Sequence, residues 1–213
     1  MPDSDKFYLF VDDCSTDNSV VLVNSLFGKT KYHIITKEQN RGPGDSFNIG
    51  FEWILMNSDN KSKIVTLEGD NTSDLSILSN MITISNLGFE LVLASIYAQG
   101  GGFDKTSLLR KVISLIANML LRFIYDIKVL TLSSFYRVYD INLLIKIKNK
   151  YDVIIREPGF ISMIEILIKA IKLNSTIIEV PMTLSSKNRI GKSKMKIMKT
   201  TFSYLRFLFK KNK

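Results

Sequence analysis

The sequence predicts an α/β fold in which a mostly parallel sheet is flanked by helices, and three observations carry that prediction. Short apolar runs that stop at acidic or glycine-bearing turns alternate with segments whose apolar residues recur at helical spacing. The 213 residues, 46% of them hydrophobic, suffice for one sizeable core and are too few for two comfortable domains. No internal repeat or low-complexity linker divides the chain, so residues 1–213 read as a single domain.

Phe7 to Val11 (FYLFV) is a short apolar run delivered into Asp12 and Asp13, the pattern of a buried parallel strand. Ser15 or Thr16 then caps a helix over Val20 to Phe27. A strand at His33 to Thr36 leads into the turn Arg41-Gly42-Pro43-Gly44 and a helical pattern through Phe47, Gly50, Phe51, Ile54 and Leu55. Ile64 to Leu67 is the third strand, Leu75 to Leu87 the third helix and Glu90 to Ala94 the fourth strand. Beyond Gly100 the alternation loosens: a long apolar-basic helix over Lys105 to Tyr125, a strand-like patch at Phe135 to Val138, a helix near Ile141 to Lys148, and a last helix and strand before Pro181. Residues 1–100 read as a nucleotide-binding half and 101–213 as an acceptor-side half. In open α/β sheets ligands sit beyond the carboxyl ends of the strands, so the loops at Asp12-Asp13, Asn40 to Gly44 and Glu68 to Asp74 are expected to converge there.

Charge narrows the partners. With 29 Lys and Arg against 20 Asp and Glu, the formal net charge is +9, which favours anionic partners: nucleotides, lipid phosphates or nucleic acid. Neither a helix-turn-helix nor a basic-aromatic sheet signature is present, so no nucleic acid is expected. The single cysteine, Cys14, fits a reducing compartment, and the polar opening residues do not form a signal peptide, so a cytoplasmic location is expected. The apolar run Val112 to Leu121 is too short to span a bilayer. Lys194 to Lys213 sets Phe202, Leu205, Leu208 and Phe209 among seven Lys or Arg residues, as does a membrane-surface helix, or a basic helix packed on its own domain.

Glu68-Gly69-Asp70 puts two carboxylates one residue apart at a strand end, oxygen ligands suited to Mg²⁺ or Mn²⁺ bridging a diphosphate, although acidic turns also end strands routinely. Taken with VDDCSTDN (Val11 to Asn18), NRGPGDSFNIG (Asn40 to Gly50), TLSSFYRVY (Thr131 to Tyr139) and the terminal order of a helix with Glu165, then Ile178-Glu179-Val180-Pro181, then Arg189-x-Gly-x-Ser-Lys ending at Lys194, it resembles the family 2 glycosyltransferases of the dolichyl-phosphate mannose synthase type.

That resemblance implies a GT-A-like, Rossmann-like nucleotide-diphospho-sugar transferase fold. It implies a metal-dependent, inverting transfer of a hexose from GDP-mannose or UDP-glucose to a polyprenyl or dolichyl phosphate. It places the nucleotide against Asp12, Asp13, Asn40, Gly42, Gly44 and Ser193, and the metal, Mg²⁺ or Mn²⁺, on Glu68, Asp70 and Thr72. Asp70, Arg137, Arg189 and Lys194 become the catalytic group, the cations opposing phosphate charge. The acceptor phosphate is already an anionic nucleophile, so no histidine base is needed, and His33 is read as structural. The enzyme would work peripherally on the cytoplasmic face of a membrane. The chain departs from the family in having Glu68 where Asp is usual, and in lacking the apolar strand and acidic turn that normally precede the run at Phe7, a loss expected to leave two open sheet edges. Two other readings stay open: a glycan or protein acceptor, which needs a base such as Glu165 or Asp140, and a non-catalytic remnant that binds nucleotide or membrane.

Overall fold

The computed structural model describes residues 6–104 and 108–185, without the side chains of 108–114 and 117. β1 (Tyr8–Asp12) and β2 (Tyr32–Thr36) pair in parallel, joined by α1 (Ser19–Phe27). Side chains alternate across a strand, and β1 uses both faces. Tyr8 and Phe10 meet Phe27 of α1 on one face. On the other, Val11 and Leu9 come so close to Gly50 of α2 (Pro43–Asn57) that an added Cβ would lie 3.4 Å and 3.8 Å from them. The two helices therefore cover opposite faces of the β1–β2 ribbon.

The larger sheet orders its strands β3-β6-β4-β7, with β3 at Lys63–Thr66, β4 at Leu91–Ser95, β6 at Arg137–Asp140 and β7 at Ile177–Pro181. β4 and β7 are parallel, whereas β6 runs antiparallel to both neighbours. The reason is local. The segment before β6 already lies at the carboxyl ends of β3 and β4, where Thr66 Oγ1 donates to the Phe135 carbonyl at 2.6 Å and the Ala94 amide to the Tyr136 carbonyl at 3.0 Å, so β6 must run back. β5 (Gly102–Asp104) and β8 (Thr183–Ser185) form a small parallel pair that the sequence pattern does not show.

Two cores sandwich the larger sheet. Ile64, Leu91, Leu93 and Tyr139 face Phe51 of α2 together with α5 (Ile141–Tyr151) and α6 (Ser162–Lys172). Val92, Ala94 and Val138 face Met81 of α3 (Leu78–Asn86), which follows a 3₁₀ turn at Leu75–Ile77. α4 (Leu108–Tyr125) packs by Leu121 at the edge of the first core. Among the described residues β1 and β3 each pair along one edge only, and α2 lies across both sheets, touching β1 through Gly50 and β6 through a 5.4 Å edge-to-face contact of Phe51 with Tyr139.

Candidate active site at the strand ends

The loop leaving β1 is held from within. Asp12 accepts the Ser15 amide at 3.1 Å. The Asp13 carboxylate takes the amides of Arg41 and Gly42, at 3.0 and 2.9 Å, and the Lys37 ammonium at 2.6 Å, while its carbonyl accepts from Asn40 Nδ2 at 3.0 Å. Asp12, Asp13 and Asn40 thus shape the loop, and Asp13 fastens the end of β1 to the turn that starts α2. Lys37, which the sequence did not single out, is the centre of this cluster. It is buried, it sits 2.6 Å from Asp45 in an ion pair not aligned as a hydrogen bond, and it also reaches Ser46 Oγ at 3.3 Å. Beside it, between the end of β2 and the first turns of α2, an open pocket of ≈ 240 Å³ is bounded by Thr36, Gln39, Arg41 and Ile49.

Gly42 and Gly44 have a packing role in this geometry. Gly42 holds φ +93°, and a Cβ there would lie 2.7 Å from the Pro158 carbonyl oxygen; one on Gly44 would lie 2.0 Å from that of Glu157. The Gly44 amide donates to Pro158 at 2.8 Å, so it is already engaged. The loop they rest on is ordered from α6: Glu165 accepts the amides of Arg156 (2.9 Å) and Glu157 (2.8 Å) and pairs with Lys169 at 2.7 Å, and Lys169 donates to the carbonyls of Val153 and Ile154. Glu165 is therefore no free base. Nor is Asp140, which caps α5 through the Asn142 amide and pairs with Lys63 at 2.6 Å.

Past β3, the exposed Glu68 and half-buried Asp70 flank Gly69. The buried Thr72 donates to Asp70 Oδ1 from both its amide (3.1 Å) and its hydroxyl (2.7 Å), and its own carbonyl accepts from the Ser185 amide. Thr72 thus orients Asp70, a task distinct from the direct ligation expected of it. No group of three or more acidic, His or Cys side chains gathers among the described residues. Two carboxylates at an exposed strand end still fit Mg²⁺ or Mn²⁺, since such a cation completes its coordination with water and substrate phosphate.

Arg137 requires a correction. It is fully buried, and its guanidinium donates to the carbonyls of Ser134 (2.7 Å) and Leu132 (2.8 Å) and to the Tyr139 hydroxyl (3.3 Å). It braces the segment before β6 from inside and cannot clamp a phosphate without unfolding that segment. Glu179 acts on the same segment, its two oxygens taking the amides of Leu130 (2.7 Å) and Thr131 (2.8 Å), and Ser95 Oγ shares a 2.6 Å hydrogen bond with Thr131. Burial, with the Asp74 carboxylate adding to it, pushes the Tyr136 phenol up to about 12. Arg189, Ser193 and Lys194 lie outside the described residues. His33 stacks on Trp53 at 5.1 Å, a structural contact.

Residues 2–148 match the model of the family described as glycosyl transferase family 2. The chain belongs to glycosyl transferase family 2. Over 189 residues this glycosyltransferase is 27% identical to a polyprenol monophosphomannose synthase of Mycolicibacterium smegmatis, the match covering 88% of the chain and 69% of the relative. Its fold is the GT-A fold of glucosyl-3-phosphoglycerate synthase from Mycobacterium tuberculosis, solved with Mn²⁺, UDP and glucosyl-3-phosphoglycerate (TM-score 0.58, 15% identity), of which it covers 65% while 94% of the chain is matched. TarS of S. aureus, residues 1–349, also matches, with TM-score 0.53, 18% identity, 87% of this chain and 53% of the other. The transferase thus spans just under two thirds of the first of these solved chains and about half of the second.

Proposed function

We propose that this glycosyltransferase moves a hexose from a nucleotide-diphosphate sugar, GDP-mannose or UDP-glucose, to a polyprenyl phosphate at the cytoplasmic face of a membrane, with inversion at the sugar carbon. The observation that carries the reading is the strand-end pair Glu68 and Asp70, the latter aimed by Thr72, in a chain whose similarity to a polyprenol monophosphomannose synthase runs through 88% of its length. Glu68 and Asp70 would hold Mg²⁺ or Mn²⁺, which when bound supplies positive charge opposite the departing diphosphate. The pocket beside Lys37 and Arg41, at the end of β2, is open to the nucleoside. Asp13 and Lys37 keep the loop in place, and Arg189, Ser193 and Lys194 would face phosphate. A phosphate acceptor is anionic before it binds, so the engagement of both Glu165 and Asp140 in structural contacts favours it over a hydroxyl acceptor, which would need a base.

Calorimetric titration of GDP-mannose and UDP-glucose, each with and without Mn²⁺, tests the donor half. Metal-dependent binding of one donor, lost in the Glu68→Ala/Asp70→Ala double variant with its far-UV spectrum unchanged, is the expected result. Transfer of labelled sugar from that donor to polyprenyl phosphate tests the acceptor half. A folded chain that binds neither donor would instead support the remnant reading.

A further inference from the structure

Glu179 is out of keeping with its strand. Side chains alternate across β7, which puts Glu179 on the face of Ile177, and Ile177 packs against the first core. A carboxylate on such a face is costly unless it is bonded, and both oxygens of Glu179 are, taking the successive amides of Leu130 and Thr131 at 2.7 and 2.8 Å. Neither amide belongs to the strand that β7 pairs with, so the contact shapes the segment and adds nothing to the ladder.

Residues 127–135 form neither helix nor strand, and side chains from the surrounding elements hold their backbone. Thr66 of β3 donates to the carbonyl of Phe135, Asn118 of α4 to that of Leu130, and Arg137 of β6 to those of Leu132 and Ser134. Glu179 takes amides where these take carbonyls. Ser95, at the end of β4, shares its hydroxyl hydrogen bond with Thr131 and accepts the Ala98 amide at 3.0 Å, which ties the segment to the loop after β4.

The segment is thereby fixed across the carboxyl ends of β3 and β4, with Ser133 the one exposed side chain of residues 131–136. Thr66, which it touches, stands four residues before Asp70, so the segment walls the strand-end site. The pocket beside Lys37 belongs to the smaller sheet and the segment to the larger, which leaves the segment to the second substrate.

We infer that Glu179 is a positioning residue for the acceptor: by setting the backbone of residues 130–134 it fixes the wall against which a lipid-linked phosphate is held beside Glu68 and Asp70. This rests on the polyprenyl-phosphate reading above.

The test is steady-state transfer to polyprenyl phosphate by the full chain, with donor affinity measured separately by calorimetry, for wild type, Glu179→Gln and Thr131→Val. Gln keeps the shape but accepts through one atom only, turning an N–H towards an N–H. Val removes the hydroxyl that Ser95 meets and spares both amides. The expected result for Glu179→Gln is a kcat/KM for polyprenyl phosphate lower by about 100-fold, the cost of a small misplacement, with the loss in the acceptor KM and with donor Kd and far-UV spectrum unchanged. Thr131→Val should shift the same constant in the same direction by a smaller factor. A purely structural contact acts otherwise: its loss reduces the folded fraction, so kcat and donor stoichiometry fall together while both KM values stay put. That pattern, or wild-type kinetics in both variants, would overturn the inference and leave the transferase reading intact. Should Glu179→Gln not fold, Thr131→Val decides by its acceptor KM alone. A wild-type chain that binds donor and transfers nothing to polyprenyl phosphate would overturn both readings.

Discussion

Thr72 and Asp140 carry side chains of ordinary type whose partners decide what they do. Thr72 gives Asp70 two hydrogen bonds, fixing the direction in which its remaining lone pairs point. Removing the hydroxyl while keeping the shape, in Thr72→Val, should weaken Mn²⁺-dependent donor binding by about 10- to 100-fold, the usual range when a ligand loses its orienting partner. Calorimetry reads this directly, and unchanged affinity would mean that Asp70 is aimed by something else. At Asp140, burial raises the carboxyl pKa, but hydrogen bonds from Lys63 and Asn142 and the charge of Lys63 outweigh it and hold the group below its ordinary 3.8. A depressed carboxyl stabilises the fold above its unfolded pKa and stops doing so as pH falls through the folded value. Asp140→Asn keeps an N-cap and loses the ion pair. It should be about 1–2 kcal/mol less stable in urea at pH 7 and lose less between pH 5 and pH 3 than the wild type does. Parallel acid sensitivity in the two proteins would remove Asp140 from the account.

Elements were more legible than their contacts. Periodicity located the principal strands and helices because each buries a face, and burial imposes spacing; it missed β5 and β8, which are three residues each and too short to show a period. Strand direction escaped too. The antiparallel course of β6 depends on where the preceding segment lies, which no local pattern encodes. The same blindness explains Arg137: a motif shows an arginine next to serines, not that the strand turns it inward onto their carbonyls. The acidic strand ends were legible because apolar runs stopped there, whereas Lys37 was not, since a lone lysine after a strand looks solvated until Asp13 and Asp45 close on it. On α6 the pair Glu165–Lys169, both nearly buried, orders the loop that receives Gly42 and Gly44. Glu165→Gln leaves a buried ammonium without its counter-ion and should cost about 3–5 kcal/mol. Hydrogen exchange should rise first in residues 153–158, while a rise spread evenly through α6 would assign the pair to the helix itself.

At the scale of the whole molecule, the larger sheet and the β1–β2 ribbon are of unequal security. β4 is flanked by β6 and β7, covered on both faces and buried throughout; β1 pairs, among the described residues, only with β2, and none of its residues is fully buried. Apolar burial and ladder hydrogen bonds both favour β4, and the β1–β2 ribbon is tied to the rest chiefly through α2 and the Asp13–Lys37–Asp45 cluster. Regions with fewer buried contacts open at lower free energy than the global transition. Native-state hydrogen exchange should therefore find the β1 and β2 amides opening at least about 2 kcal/mol below those of β4, roughly a 30-fold difference in exchange. Because the ribbon carries Asp13 and the pocket beside Lys37, donor nucleotide should narrow that gap specifically, protecting β1 and β2 more than β4. Uniform protection without nucleotide would show that α2 alone makes the two sheets one cooperative unit, and the donor site would then rest on a rigid sheet from the outset.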